Sequence, residues 1–99
     1  MPESGLTVAH NVAQHRFEVR VEGSFAWCDY RMAGTVMRLV HTEVPAALEG
    51  RGIAARLVAA ALAWARAEGL SVDPACSYVR SYMRRHPETS DLLADGVTL

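Results

Sequence analysis

The stretch Glu49-Gly50-Arg51-Gly52-Ile53-Ala54 decides the reading of this chain. It stands between an apolar, strand-like run from Val36 to Val44 and a segment ending near Glu68 whose apolar residues recur at helical spacing. Glycines at the start of a helix let the backbone come close to a ligand. The first N–H groups of a helix lack intrahelical partners and point along the positive end of its dipole. The arrangement predicts an anion site. Two familiar phosphate loops do not fit, because no Gly-Lys-Ser/Thr follows four intervening residues and no third glycine completes a dinucleotide fingerprint. A bland reading stays open beside the anion site: the same glycines suit a turn that packs a helix closely against a strand.

Working back towards the N-terminus, Phe17, Val19 and Val21 alternate with Glu18, Arg20 and Glu22, the period of a strand with one wet face. Gly23-Ser24 is a turn, Phe25 to Met32 pairs back as a second strand, and Ala33-Gly34-Thr35 turns the chain into the third, Val36 to Val44. That strand is apolar on both faces, which predicts a central position covered by helices. Pro45 ends it. Working forward, Ile53, Leu57, Ala61, Trp64 and Ala65 define the buried side of a helix, with Arg56, Arg66 and Glu68 opposite and Gly69 as C-terminal cap. Leu70-Ser71-Val72 is a fourth strand, broken by Pro74, and joining it to the third through the helix makes a parallel βαβ unit. Ser77 is placed to cap a last helix running to His86, ahead of Pro87.

The chain has 99 residues, 51% of them apolar and 21% charged, with a net charge of −1. These values fit one small domain with a single core, and argue against both a disordered chain and a strongly basic nucleic-acid binder. Arg38, Arg56 and Arg66 interrupt the apolar stretches, so no membrane span is expected. Met1-Pro2-Glu3-Ser4-Gly5 has no basic region followed by a hydrophobic one, and the expected location is cytoplasmic. Cys28 and Cys76 lie far apart, without Cys-x-x-Cys or His-x-x-x-His spacing, so the expectation is free thiols with neither a disulfide framework nor a metal site.

Several separated motifs occur in a particular order. They are His41-Thr42-Glu43-Val44-Pro45, then Leu48-Glu49-Gly50-Arg51-Gly52-Ile53-Ala54, then Cys76, then Tyr82 to His86-Pro87-Glu88. Together they resemble the short YjdJ-type family of GNAT-like N-acetyltransferases, over roughly Arg16 to Glu88. The resemblance implies an α/β (α+β) fold, the acetyl-coenzyme A half of a GNAT domain. Its sheet would be mostly antiparallel, with a helix–strand–helix C-terminal half, one domain over 1–99 and a core over about 16–88.

The resemblance also implies a site. The coenzyme's pantetheine arm would pair with the backbone of Thr42, Glu43 and Val44. Its pyrophosphate would rest on the amides of Gly50, Arg51, Gly52, Ile53 and Ala54, with an N–H near Val44 facing the oxyanion. Glu49 stands where the family usually has Gln or Arg, an unfavourable charge beside a diphosphate unless it turns outward; Arg51 and Arg56 are placed to offset it. The tyrosine that protonates the departing thiolate in larger members falls on Met83, one residue past Tyr82. Cys76 would lie near the thioester, where it is either a packed thiol or an acyl relay, favoured as thiolate by the helix start at Ser77. His41 and Glu43 alternate onto one face of the third strand and are candidates for a general base. Arg80, Arg84 and Arg85, with His86, are read first as a solvated helix face, and otherwise as a grip on the coenzyme's 3′-phosphate or on an acidic partner.

The function expected is transfer of an acetyl group from acetyl-coenzyme A to a primary amine on a small molecule or protein, by a monomer or weak homodimer without metal. A coenzyme A-binding module without turnover and a non-catalytic interaction domain are the alternatives.

Overall fold

The computed structural model describes residues 6–99, so the N-terminal reading of Met1 to Gly5 lies outside the described residues. Five strands form one sheet in the order of the chain: β1 (Ala9–Asn11), β2 (Arg16–Val21), β3 (Ser24–Ala33), β4 (Val36–Glu43) and β5 (Ser71–Pro74). The first four are antiparallel neighbours, and β5 joins β4 in parallel after the helix α1 (Ile53–Ala67) has carried the chain back along the sheet. A second helix, α2 (Ser77–Arg85), and a 3-10 segment, Pro87–Leu92, follow.

The alternation in β2 sends Phe17 and Val19 into the core, where Ala26, Cys28 and Tyr30 of β3, Met37 and Leu39 of β4 and Val72 of β5 join them. Ile53, Leu57, Val58, Ala61, Leu62 and Ala65 form the buried side of α1, and α2 adds Val79, Tyr82 and Met83 to the same core. Glu22 and Gly23, both at positive φ (52° and 80°), make the tight turn between β2 and β3, the mirror-image geometry that matches the twist of a hairpin. Gly69 at φ 71° ends α1 as expected, with its N–H on the carbonyl of Arg66.

Three expectations need correction. The meander has a fourth antiparallel strand, β1, which has no apolar alternation to announce it. It is held by the His10 ring, stacked 4.1 Å from Phe17 and edge-on to Trp64 at 4.6 Å, and by Asn11 Nδ2 donating to Glu18 Oε2 at 2.8 Å. β4 is central in the sheet but buried on one face only: Met37 and Leu39 are enclosed, while Val36 and Val40 are half-buried and Arg38 is exposed. The N-cap of α2 is Cys76, without a side-chain capping bond, and Ser77 is already the first helical residue.

Candidate functional site

β3 and β4 change register between Asp29 and Tyr30. Tyr30 pairs with Leu39 but Asp29 pairs with His41, so Val40 is an extra residue in β4. Such a bulge reverses which face the following side chains occupy. Strict alternation from Met37 and Leu39 would turn His41 and Glu43 towards the core. After the bulge it is Thr42, opposite the buried Cys28, that faces inward, while His41 and Glu43 emerge exposed on the open face opposite Asp29 and Trp27. The pairing of β4 with β5 runs from Val36 with Ser71 to Leu39 with Pro74, and the Cys76 N–H closes it on the Leu39 carbonyl at 2.8 Å. Beyond that bond the two chains part, leaving the edge of β4 from the bulge to Val44 beside the start of α2.

The chain leaves β4 through a 3-10 turn, Ala46–Leu48, whose Leu48 is buried and ties the loop to the core. Gly50 and Gly52 then take positive φ, 83° and 73°, and a Cβ at either would meet nothing within 4 Å. The conformation itself therefore demands glycine there, and the loop backbone is open to an approaching ligand. The bond from Arg56 N–H to the Gly52 carbonyl, 3.1 Å, opens the helical ladder of α1; the N–H groups before it have no carbonyl four residues back within the helix. A cavity of about 150 Å³ lies against this loop, lined by Val44, Leu48, Gly50, Gly52, Ile53, Ala54 and Tyr78. It brings together Val44 of the predicted strand edge and most of the predicted pyrophosphate loop.

The charged residues of the loop are less tightly held. Glu49 also lines the cavity, and Arg51 leans away towards the β2–β3 turn, its Nη2 4.0 Å from Glu22 Oε1. Both are exposed, where a pair at that distance contributes little.

Beside the parted strands, Thr42 Oγ1 lies 3.6 Å from Cys28 Sγ, to which it donates, and 3.6 Å from Cys76 Sγ. Cys28 is fully enclosed and burial pushes its thiol up to about 11, whereas Cys76 is partly exposed. The other candidate pair meets on the opposite side of β4, with His41 Nε2 2.9 Å from Glu43 Oε1 and both largely in solvent. The structure thus assembles two clusters from the predicted residues, Thr42 with Cys76 and His41 with Glu43, and separates them by the thickness of the strand.

Tyr82 does not approach Cys76. Its ring stacks on His86 at 4.0 Å and lines a groove with Leu62, Arg66 and Glu88, and burial raises its phenol pKa, with Glu88 adding to the shift. Met83 is enclosed in the core. The aromatic residue that does reach the loop cavity is Tyr78, one helical turn earlier, which the sequence reading missed. Its signal was position, two residues after Cys76 in the first turn of α2. Among the described residues, no three His, Cys, Asp or Glu side chains gather into a group able to hold a metal ion, and no helix is long and apolar enough to cross a membrane.

A sheet that opens beside a bulge thus lies next to a glycine loop at a helix N-terminus, the arrangement expected from the resemblance to GNAT-like proteins. Residues 16–92 match the family model described as GCN5-related N-acetyl-transferase, and the chain belongs to that family. Its relatives include proteins called NATD1. That of Xenopus tropicalis is 36% identical over 89 residues, 87% of this chain and 82% of its own. That of Homo sapiens is 36% identical over 85 residues, 83% of this chain and 75% of its own. The NMR solution structure of a GCN5-like protein from Staphylococcus aureus superposes with a TM-score of 0.72 at 22% identity, covering 92% of this chain and 90% of that one. That likeness establishes the shared fold. The YjdJ-type subgroup is not singled out by these matches; the wider family is.

Proposed function

We propose that the protein is one acetyltransferase domain that binds acetyl-coenzyme A and passes the acetyl group to a primary amine. The observation that carries the reading is the cavity where Val44 at the free edge of β4 meets the glycine loop from Gly50 to Ala54. The loop amides and the positive end of α1 suit a diphosphate. The backbone of Thr42, Glu43 and Val44 offers an unpaired strand edge to the amide-bearing pantetheine arm. Tyr78 walls the cavity between them.

Cys76 stands where the parted strands would lead the thioester. Its sulfur attacks the acetyl carbonyl as thiolate, the carbon–sulfur bond to the coenzyme breaks, and the released coenzyme thiolate takes up a proton. An unprotonated acceptor amine then attacks the Cys76 thioester, forming the amide and returning the thiol. An N–H near Val44 is the candidate donor to the oxyanion. In the alternative route the amine attacks the coenzyme thioester directly, with His41, Glu43 or water as base. The exposure of that pair on the open face suits an acceptor arriving from solvent, such as a protein segment.

The burial of Met83 and the turning away of Tyr82 favour one second reading, a coenzyme A-binding module without efficient turnover, because the family's usual proton donor is then missing.

Thermal denaturation and intact-mass spectrometry separate these. Acetyl-coenzyme A at about a hundred times its Kd should add about 2.7 kcal/mol of stability, a rise in Tm of about 10 °C or more. Without acceptor, the acyl relay predicts a thiol-labile gain of one acetyl group, absent from Cys76→Ser. The chain has no lysine, its ten Lys and Arg positions all being arginine, so lysine self-acetylation cannot obscure the adduct. No change in Tm with millimolar acetyl-coenzyme A would sink the proposal; a shift without mass gain or turnover would leave the binding module.

A further inference from the structure

Two thiols, Cys28 on β3 and Cys76 at the start of α2, meet at the Thr42 hydroxyl of β4. Cys28 faces Thr42 across the β3–β4 ladder, and Cys76 sits beyond the other edge of β4, fixed by its N–H on the Leu39 carbonyl. β4 therefore lies between the two cysteines. Adjacent strands are about 4.8 Å apart, so their backbones stand roughly two spacings, about 9–10 Å, from each other. A disulfide needs Cα atoms within about 7 Å. The thiols are not placed to cross-link; they are placed to share Thr42.

A threonine hydroxyl has one hydrogen and two lone pairs, and it rotates freely between partners. With Cys76 protonated, Thr42 gives its hydrogen to Cys28 Sγ at 3.6 Å and its oxygen can accept from the Cys76 S–H, also at 3.6 Å. When Cys76 loses its proton, the stronger acceptor is the charged sulfur, and the hydroxyl needs only to rotate to donate to it. Cys28 keeps its own proton throughout, because burial disfavours its thiolate, so it loses only a weak neutral bond when the hydroxyl turns.

We propose that Thr42 is a positioning residue for Cys76, acting through a hydroxyl that swings from the buried Cys28 sulfur to the Cys76 sulfur as Cys76 ionises. Thr42 also holds the Cys76 sulfur against the free edge of β4, where the thioester would enter. The importance of this device for transfer rests on the acyl-relay reading, but its chemistry is testable without coenzyme.

The measurement is the rate of Cys76 alkylation by iodoacetamide at pH 7.5, with the modified residue located by peptide mass mapping and folding checked by circular dichroism. Thr42→Val keeps the shape and removes the hydroxyl, and should slow the reaction about threefold, because the roughly tenfold loss of thiolate from one hydrogen bond to a charged group is partly offset by the greater nucleophilicity of the less stabilised thiolate. Thr42→Ser restores the hydroxyl and should return the rate close to that of the parent. Cys28→Ala removes the competing acceptor and should react faster than the parent. A Thr42→Val protein that reacts at the parental rate would overturn the proposal. So would a Cys28→Ala protein slowed as much as Thr42→Val, which would mean that packing alone sets the reactivity. If the alkylation pattern holds while acetyl-coenzyme A leaves Cys76 unmodified, the hydroxyl device stands and the acyl relay falls.

Discussion

Replacing Gly52 by Asp and, separately, by Asn isolates the charge of the proposed diphosphate site from its shape. Gly52 is the N-cap of α1 at φ 73° and ψ 19°, exposed, with open space where a Cβ would project. The left-handed conformation costs an L-residue about 1–2 kcal/mol, and Asn and Asp bear it most readily. Both variants should therefore fold, with a shared loss of about 1 kcal/mol, or about 4–8 °C in Tm. They have nearly the same shape, so any further difference between them is charge. A carboxylate about 5 Å from one unit of phosphate charge is opposed by about 1 kcal/mol at the dielectric of water and by about 3 kcal/mol at an effective constant near 20. Because the site is exposed, the lower part of that range applies at ordinary salt. Calorimetric titration with coenzyme A should then show Asp binding at least about 4-fold more weakly than Asn, with the gap narrowing as salt is raised from 50 to 500 mM. Equal affinities for Asp and Asn, at both salt concentrations, would refute the assignment of a diphosphate to this loop. Unfolding of both variants would show that Gly52 serves the backbone turn alone.

Other consequences follow from residues outside the loop. The His10 imidazole is held below its usual pKa of 6.5 by burial and then by His15; the unfolded chain takes the proton more readily, so its contribution to stability is complete above pH 6.5 and is lost as pH falls through that value towards the lower folded one. Urea midpoints at pH 7.5 and 5.5 should differ less in His10→Gln than in the parent, and an undiminished difference would count against this account. Cys28, enclosed and with its thiol raised to about 11, should resist iodoacetamide in the native protein and react only in denaturant, and diamide should yield no Cys28–Cys76 cross-link; rapid native labelling would contradict the burial. Leu57→Ala, at a fully enclosed position of α1, should cost about 2–5 kcal/mol in urea denaturation, and a loss below 1 kcal/mol would mean the core is looser than described.

Features that depend on neighbours along the chain were legible from residue order alone. Alternation in Phe17, Val19 and Val21 placed β2. The helical recurrence from Ile53 to Ala65 placed α1, and Gly69 ended it. The glycines at 50 and 52 announced a loop of unusual backbone before a helix, because positive φ and a free helix start are properties of a few consecutive residues. Membership of β1 in the sheet was not legible. Ala9-His10-Asn11 carries no period of its own, and its place comes from pairing with β2 and from contacts of His10 with Phe17 across that hairpin and with Tyr30 and Trp64 much further along the chain.

The candidate site divides in the same way. Its loop was readable, but the faces of β4 were not. The extra residue Val40 exists only as a mismatch with β3, and a register is a relation between two strands. That mismatch turns Thr42 inward to Cys28 and Cys76 and sends His41 and Glu43 out to solvent, against the alternation that begins at Met37. The parting of β4 from β5 after Leu39, and the choice of Tyr78 rather than Tyr82 to line the cavity, were likewise decided by how α2 packs across the end of the sheet. Local sequence fixes the period of an element; only its packed neighbours fix its phase.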